Sequence, residues 1–436
     1  MKIGIISPAR SKVRTHYSSN ARLGKFLAEN KNVPSFFHPS LALLTVAALT
    51  PDDIELTVID ERVDSLNLEE DFDVVGITMM TAQARRGYEV ADHFRGRGVH
   101  VVLGGVHPTA LPEEAAQHCD TVIAGEAERT WPRFIDDLRN GRPEKLYQDQ
   151  GVDLSASPVP RYDLVDTSVF PLLPIQTTRG CPYGCDFCSV TTVFGPQFRV
   201  KTVDQVLREI EAIKRVTKTN RFVFNDDNTF VVRKKAYELL EAIKPLRARY
   251  FAQTDISAAK DEKLLALLAE SGCTTLFIGF ESLVPENLAA IQRSKFKLKH
   301  LDGYGESCKR IQAHGIQVLG AFVVGFDHDT RDTLMVLRDF ILDNHIWAQI
   351  HILTPFPATG VRRRLIEEGR LPASDANWDL YTCFDSTFEP ARITKQELED
   401  TLLEIYEEIY SETAHRRRMR HMVDQKKLTW KRTKDK

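Results

Sequence analysis

Arg179-Gly180-Cys181-Pro182-Tyr183-Gly184-Cys185-Asp186-Phe187-Cys188 is the stretch on which the fold of this chain turns. It sets three cysteines at C-x3-C-x2-C in one short loop, directly after the apolar run Leu172 to Ile175. Three thiolates can hold three irons of a [4Fe–4S] cube, and the fourth iron is then left without a protein ligand. An open coordination position separates a catalytic metal centre from a structural one. The alternative is a structural zinc site with a remote fourth ligand. Such sites use paired C-x2-C or C-x4-C units with further Cys or His, and none lies nearby.

Working outward, the 436 residues are too many for one ordinary domain and comfortable for two or three. An apolar content of 42% and a charged content of 27% describe a soluble globular protein. A net charge of −3 gives no pull toward nucleic acid or anionic membrane, and no nucleic-acid partner is expected. The other cysteines, Cys119, Cys273, Cys308 and Cys383, are scattered singly and read as small buried hydrophobes. Met1-Lys2-Ile3-Gly4-Ile5-Ile6 reads as a strand start, too short in its apolar run for a signal peptide. No stretch approaches the roughly 18 apolar residues of a transmembrane helix. Reduced thiols around an iron–sulfur site predict a cytoplasmic protein.

Strand and helix patterns alternate in both halves. Upstream of the cysteines, strands are predicted at Ile3–Ile6, Ile54–Ile59, Val74–Thr78, Val99–Leu103 and Thr121–Ala124, with helices between them. That is an open parallel sheet of the flavodoxin-like (Rossmann-type) kind, which binds ligands beyond its carboxyl strand ends. The long loop Ser7–Pro39 predicts a lid or binding loop. Downstream, strands are predicted at Leu172–Thr178, Arg221–Asn225, Tyr250–Thr254, Thr274–Phe280, Gln317–Val324 and Ala348–Leu353. Six β/α units predict a partial (β/α)6 barrel of TIM type with its chemistry on the C-terminal rim. The expected organisation is 1–150 as the first α/β domain, 151–168 as a linker containing Pro158 and Pro160, 169–360 as the barrel, and 361–436 as a mainly helical C-terminal extension. The last 22 residues, rich in Lys and Arg, read as a solvated charged tail, or as an electrostatic contact with an anionic substrate, membrane surface or partner.

These residues resemble a known family. The second half resembles the radical S-adenosylmethionine (SAM) enzymes. Residues 1–360 as a whole resemble the subgroup with an N-terminal cobalamin (B12)-binding domain. The cysteine motif, with Phe187 before its last cysteine, carries most of the likeness. Phe224-Asn225-Asp226-Asp227-Asn228, Gly279-Phe280-Glu281-Ser282 and Val323-Val324-Gly325-Phe326 look like three strand-end segments of that barrel. Thr78, Gly104-Gly105-Val106-His107 and Gly125-Glu126 look like the loops that flank the corrin.

The resemblance implies that Cys181, Cys185 and Cys188 ligate a [4Fe–4S] cluster and that SAM chelates the open iron. It implies that Asp226 or Asp227 meets the SAM ammonium, that Glu281 and Ser282 lie at its ribose, and that Phe187 and Gly325 bracket adenine. It further implies reductive cleavage of SAM to a 5′-deoxyadenosyl radical that takes hydrogen from an unactivated substrate carbon. The most frequent outcome in such enzymes is methyl transfer from cobalamin. The alternatives are ring contraction, cyclisation or carbon coupling without methyl transfer. A small-molecule, lipid or peptide-like substrate is implied, with flavodoxin or ferredoxin as electron donor. Trp378, Tyr381 and Phe384 read either as the lining of an apolar substrate pocket or, equally well, as aromatic core packing. The D-x-H-x-x-G motif that gives cobalt a histidine is absent. Cobalamin is then held without a histidine from that motif, or the domain is a degenerate one that binds no corrin. A competing class, a non-catalytic sensor, would need an output module, and no effector pattern is visible.

Overall fold

Two parallel sheets follow one another along the chain. The computed structural model describes residues 1–434 except 11–17, 35–36, 293 and 375, with backbone alone for 429–434. The first sheet holds β1 (Lys2–Ser7), β2 (Glu55–Asp60), β3 (Val74–Thr78), β4 (His100–Gly104), β5 (Thr121–Gly125) and β6 (Leu146–Asp149), in the order β2-β1-β3-β4-β5-β6. Its inner strands are short, apolar and buried on both faces, as an all-parallel sheet covered by helices requires, while the edge strands β2 and β6 are partly exposed. β6 is a strand that the sequence pattern does not announce, because its Leu-Tyr-Gln-Asp run lacks alternation.

The second sheet holds β7 (Leu173–Ile175), β10 (Arg221–Phe224), β11 (Arg249–Thr254), β12 (Cys273–Glu281), β13 (Gln317–Val324) and β14 (Trp347–Ile352), with sequential neighbours paired in parallel. This is the expected open six-stranded barrel. Between β7 and β10 a small antiparallel ladder, β8 (Thr178–Arg179) with β9 (Arg199–Val200), carries the cysteine loop. Phe222, Phe224, Tyr250, Phe280 and Phe322 form stacked and tilted rings between this sheet and its outer helices, where Phe280 meets Tyr304 and Phe340. Thr202 and Gln205 form a capping box that starts the helix Val203–Thr217.

The segment expected as a linker is packed rather than free. Val152 and Leu154 are buried, and the Leu154 carbonyl accepts from Gln205 Nε2 at 2.7 Å. Part of the Ser7–Pro39 loop lies outside the described residues. The rest carries a helix, Ala21–Glu29, capped by Asn20, whose Leu23 and Leu27 enter the barrel core. The C-terminal extension contributes the helix Lys395–Ile409. Tyr406 lies within it and Tyr410 just past its end, and their hydroxyls each bond both the N–H and the C=O of one residue on β14, Ile350 and Ala348. Those hydroxyls cover a sheet edge that would otherwise present unpaired backbone. The charged tail is helical as well, over Glu412–Lys434, and Arg418 in it is buried.

Candidate active site

The cysteine loop is fixed by bonds to two other segments and by one of its own. Asp186 N–H donates to Ile291 O at 3.1 Å, Val361 N–H donates to Asp186 O at 3.1 Å, and Cys188 N–H donates to Cys185 O at 3.1 Å. Cys181, Cys185 and Cys188 are all partly exposed, and Gln292 Nε2 donates to Cys185 Sγ at 2.8 Å. Burial pushes the Cys185 thiol up to about 11 and Cys188 up to about 12, and raises Cys181. The pocket therefore favours neutral thiols until a metal cation inverts that balance. Among the described residues, no group of three or more His, Cys, Asp or Glu converges as for one metal ion. A cube asks for something else, one thiolate on each of three irons. Three partly exposed thiols in one loop, one already accepting an amide N–H, fit that demand.

Asp226 and Asp227, adjacent after β10, have different surroundings. Asp226 is 2% exposed and accepts from Thr177 N (2.6 Å), Thr177 Oγ1 (2.6 Å) and Thr178 N (2.9 Å). Its carboxylate braces the root of the cysteine loop and is closed to a ligand ammonium, which corrects the expectation that either aspartate could serve. Among the described residues Asp227 accepts from Gly180 N alone, at 3.2 Å, and burial together with the Asp226 charge raises its carboxyl to about 6. Beside it, Tyr183 donates to Asp255 and stacks on Phe296.

At the end of β12, Glu281 stands at φ +66°, a left-handed conformation uncommon for a residue with a side chain. The ladder to β13 shifts register there. The turn sends the Glu281 carboxylate onto Lys297 Nζ at 2.5 Å, and Nζ also donates to Gly279 O at 2.6 Å. Gly279 leaves room for this pair, since a Cβ there would meet Glu281 Oε1 at 2.6 Å and Lys297 Nζ at 2.8 Å and push the two ends aside. Burial would lower the Lys297 ammonium, but the charges of Glu281 and Cys185 outweigh it and raise the group. A buried cation thus stands beside Cys185. Nothing in the sequence marked Lys297, which alternates with Lys295 and Lys299 like an ordinary solvated run. Ser282 does not face a ligand. Its hydroxyl accepts from Val284 N and Asn287 Nδ2 and shapes the start of the helix Pro285–Ile291.

Gly325 follows β13 at φ +95°. Asp329 accepts from Gly325 N at 2.8 Å and Phe326 N at 3.0 Å, and its other oxygen accepts from Asn287 at 2.7 Å. Phe187 meets Phe326 edge-on with ring centres 6.0 Å apart. Cysteine loop, β12 and β13 therefore share one rim.

The first sheet presents its strand ends to the same region. The helix Val106–Ala110, after β4, packs against Val190–Phe194, the helix that follows Cys188. Thr78, Gly104, Gly105, Val106 and Gly125 are partly exposed there. Gly105 has φ +95°, and a Cβ on it would meet Thr78 Oγ1 at 2.7 Å and Met79 N at 2.8 Å. The Thr109 hydroxyl joins the loops, donating to Gly105 O and accepting from Gly125 N. This backbone surface, glycine-rich and close-set, fits a large flat ligand laid against it.

Two residues expected at that surface point elsewhere. His107 is fully buried, bonded through Nε2 to Glu114 at 3.0 Å and set edge-on to Trp378 at 5.1 Å. The short helix begun at Val106 turns it into the core, so its ring is no ligand contact. Glu126 is also turned inward. It accepts from Arg179 Nη1 (2.6 Å), Arg199 Nη1 (2.8 Å), Gly151 N (2.7 Å) and Val152 N (3.1 Å). Glu128 pairs with Arg179 Nη2 at 2.5 Å. Arg179 precedes Gly180-Cys181, so two acids of the first domain hold the root of the cysteine loop.

Trp378 and Tyr381 do not line a pocket with Phe384. Both sit in the core of the first domain, where Trp378 Nε1 donates to Glu114 at 2.9 Å. Phe384 packs on the barrel, edge-on to His351. The segment between them is a strap from the barrel back to the first domain.

Fold and site together define a two-domain α/β enzyme with a thiolate metal loop between a partial barrel and a nucleotide-type sheet. The radical SAM superfamily model matches residues 175–341, and the B12 binding domain model matches residues 32–135. Bacteriochlorophyllide d C-12(1)-methyltransferase of Chlorobaculum tepidum is 33% identical over 402 residues, covering 89% of this chain and 86% of that protein. Hopanoid C-2 methylase of Rhodopseudomonas palustris is 28% identical over 354 residues, covering 78% and 66%. In fold, the chain resembles the radical SAM methyltransferase TsrM of Kitasatospora setae, with TM-score 0.69, 15% identity and coverage of 98% and 99%. The chain belongs to the radical SAM superfamily, in the group that carries a B12-binding domain. Its cofactors are a [4Fe–4S] cluster, SAM and cobalamin. No described helix is long and apolar enough to cross a membrane.

Proposed function

We propose that this chain is a cobalamin-dependent C-methyltransferase acting on an unactivated carbon of a large, mostly apolar molecule, a tetrapyrrole or polycyclic lipid. The observation that carries this reading is the packing of Val106–Ala110 on Val190–Phe194. It sets the strand-end loops of both domains face to face, as a methyl carrier and a radical source must be to act on one substrate. The relatives named for methylation of bacteriochlorophyllide d and hopanoid support the substrate class.

In this reading Cys181, Cys185 and Cys188 hold the cluster. Bound together, the cluster and SAM supply hydrogen-abstracting power, and cobalamin supplies the methyl group. Lys297, oriented by Glu281, places a positive charge where the SAM carboxylate lies. Asp227 accepts from the SAM ammonium, while Asp226 holds Thr177 and Thr178 in place. The backbone at Gly325 and the ring of Phe187 border adenine. Thr78, Gly104, Gly105, Val106 and Gly125 border the corrin, and the buried His107 does not face it. A one-electron donor such as flavodoxin or ferredoxin supplies reductant.

The test is an anaerobic assay with methyl-labelled SAM, reductant and either a bacteriochlorophyllide or a hopanoid. The expected result is labelled product with S-adenosylhomocysteine and 5′-deoxyadenosine in equal amounts. 5′-Deoxyadenosine with no S-adenosylhomocysteine overturns methyl transfer in favour of ring formation or coupling.

A further inference from the structure

The net charge of −3 hides a separation of charge along the chain. Of the 58 Lys or Arg and 61 Asp or Glu, the last 22 residues hold ten and two, so they carry +8 and the other 414 residues −11. All but the last two residues of that basic segment lie in the helix Glu412–Lys434. One side of the helix is packed. Ala414 and Arg418 are buried, the Arg418 guanidinium lies over Trp347 at 4.8 Å, and His421 Nε2 meets Gln312 Oε1 at 3.2 Å. These contacts hold the helix against the start of β14 and the end of the helix Tyr304–Gln312, so its other side faces away from the barrel.

That outer side is basic. Arg416, Arg417, Arg420, Lys426 and Lys427 are all exposed. Arg416, Arg420, Val423 and Lys427 follow at spacings of four, three and four, which sets them in one stripe along a helix. Arg416 pairs with Glu412 at 2.8 Å. The other four cations have no carboxylate partner among the described residues, and Asp424 is the only other exposed acid of the helix there. Val423 and Leu428 stand among them at 42% and 50% exposed. A surface that serves solubility alone intersperses both signs. Unpaired cations of one sign, held on one side by packing on the other, match an extended surface of opposite charge.

We propose that the outer face of Glu412–Lys434 docks this protein on an anionic lipid surface. About four to eight basic residues on one helix are enough to hold acidic headgroups, and each adds about fivefold to binding. The same surface repels the acidic remainder of the chain, so the helix is the contact and sets the orientation. The exposed Val423 and Leu428 favour lipid over nucleic acid. Along a phosphate backbone they stay in water, whereas in a bilayer they enter the headgroup layer. An apolar substrate dissolved in lipid, a point that rests on the function proposed above, is met at the same surface. β13 begins beside the helix, where Gln317 lies near Met422, and runs toward Gly325 on the rim. The docking face is therefore remote from the cysteine loop and acts as a tether.

The test is sedimentation of the full chain, purified anaerobically, with vesicles of phosphatidylcholine alone or with about one third phosphatidylglycerol, at about 0.1 M salt. Neither SAM nor substrate is added, so the result stands whichever reaction the enzyme performs. The wild type is expected to pellet with the anionic vesicles, to stay in solution with the neutral ones, and to be released as salt rises. The triple variant Arg417→Gln, Arg420→Gln, Lys427→Gln is expected to bind about a hundredfold more weakly, with iron content and unfolding midpoint unchanged. A control, Arg208→Gln, Lys234→Gln, Lys260→Gln, removes three exposed cations elsewhere and is expected to bind like the wild type. No wild-type binding to anionic vesicles, equal binding to neutral ones, or a helix variant that binds no more weakly than the control overturns the proposal. So does release of the wild type from the vesicles by a short DNA duplex at equal phosphate concentration, which would make the helix a nucleic-acid face. The wild-type outcomes decide without any variant.

Discussion

The residues nearest the cysteines make the sharpest predictions. Cys185→Ala is expected to abolish both the visible absorbance of the cluster and the formation of 5′-deoxyadenosine. Unchanged turnover would remove the ligand assignment. Lys297→Met takes away a charge-assisted hydrogen bond worth about 1.5–3 kcal/mol, so SAM affinity is expected to fall at least about tenfold while iron content holds. Loss of iron instead would make Lys297 a prop for Gly279 and Glu281 (both bonded to its Nζ) rather than a SAM contact. At this scale the sequence was informative wherever chemistry is written in spacing, as in C-x3-C-x2-C. It was silent wherever chemistry depends on direction. Asp226 and Asp227 are identical letters side by side, and only the fold shows one sealed against Thr177 and Thr178 and the other open. His107 and Glu126 follow glycines at strand ends, as ligand contacts would, yet both side chains turn inward. Lys297 and Arg418 sit in basic runs that read as solvent-facing, and their burial is a tertiary fact.

At the scale of elements, strand ends are where this molecule concentrates buried carboxylates. Asp329, just past β13, shapes the Gly325–Phe326 backbone with two N–H bonds, and burial raises its carboxyl from 3.8 to about 6. The native state then holds that proton more tightly than the unfolded chain. Stability from this group is full below about pH 4 and declines as pH rises to about 6, by on the order of 3 kcal/mol. Asp329→Asn keeps an acceptor and drops the ionisation. The difference in unfolding midpoint between variant and wild type is expected to grow in the variant's favour from pH 4 to pH 6 and then level off. A constant difference would show that Asp329 titrates like an exposed carboxyl. The elements themselves were legible because long apolar strands alternate with amphipathic helices. β6 and the helix Glu412–Lys434 were not, the first being too short for a pattern and the second too charged to declare a packed face.

Across the whole molecule, the two domains are joined by more than chain connectivity. The strap bearing Trp378 enters the first domain's core, Ser18 and Ser19 bond Asp385 of the extension, and Glu126 and Glu128 clamp Arg179 and Arg199. All four partners of that clamp are nearly sealed from water. Removing one partner of a buried pair costs about 3–5 kcal/mol, since the other charge is left stranded. Glu126→Ala is therefore expected to lower the unfolding midpoint sharply and to lower iron content, although Glu126 is no ligand. Normal iron loading in a destabilised Glu126→Ala protein would show that the clamp serves the fold alone. The strap and clamp were illegible because both ends of each contact lie far apart in the chain and neither carries a motif.

The same clamp bears on how such a chain can be taken apart. A barrel produced without its first 150 residues would keep Arg179 and Arg199 but lose both acids that neutralise them, one residue away from the Gly180-Cys181 turn. The metal loop is thus no portable cassette. Transplanting it into another scaffold, or exchanging the partner domain for a foreign one, has to bring along carboxylates in the places of Glu126 and Glu128.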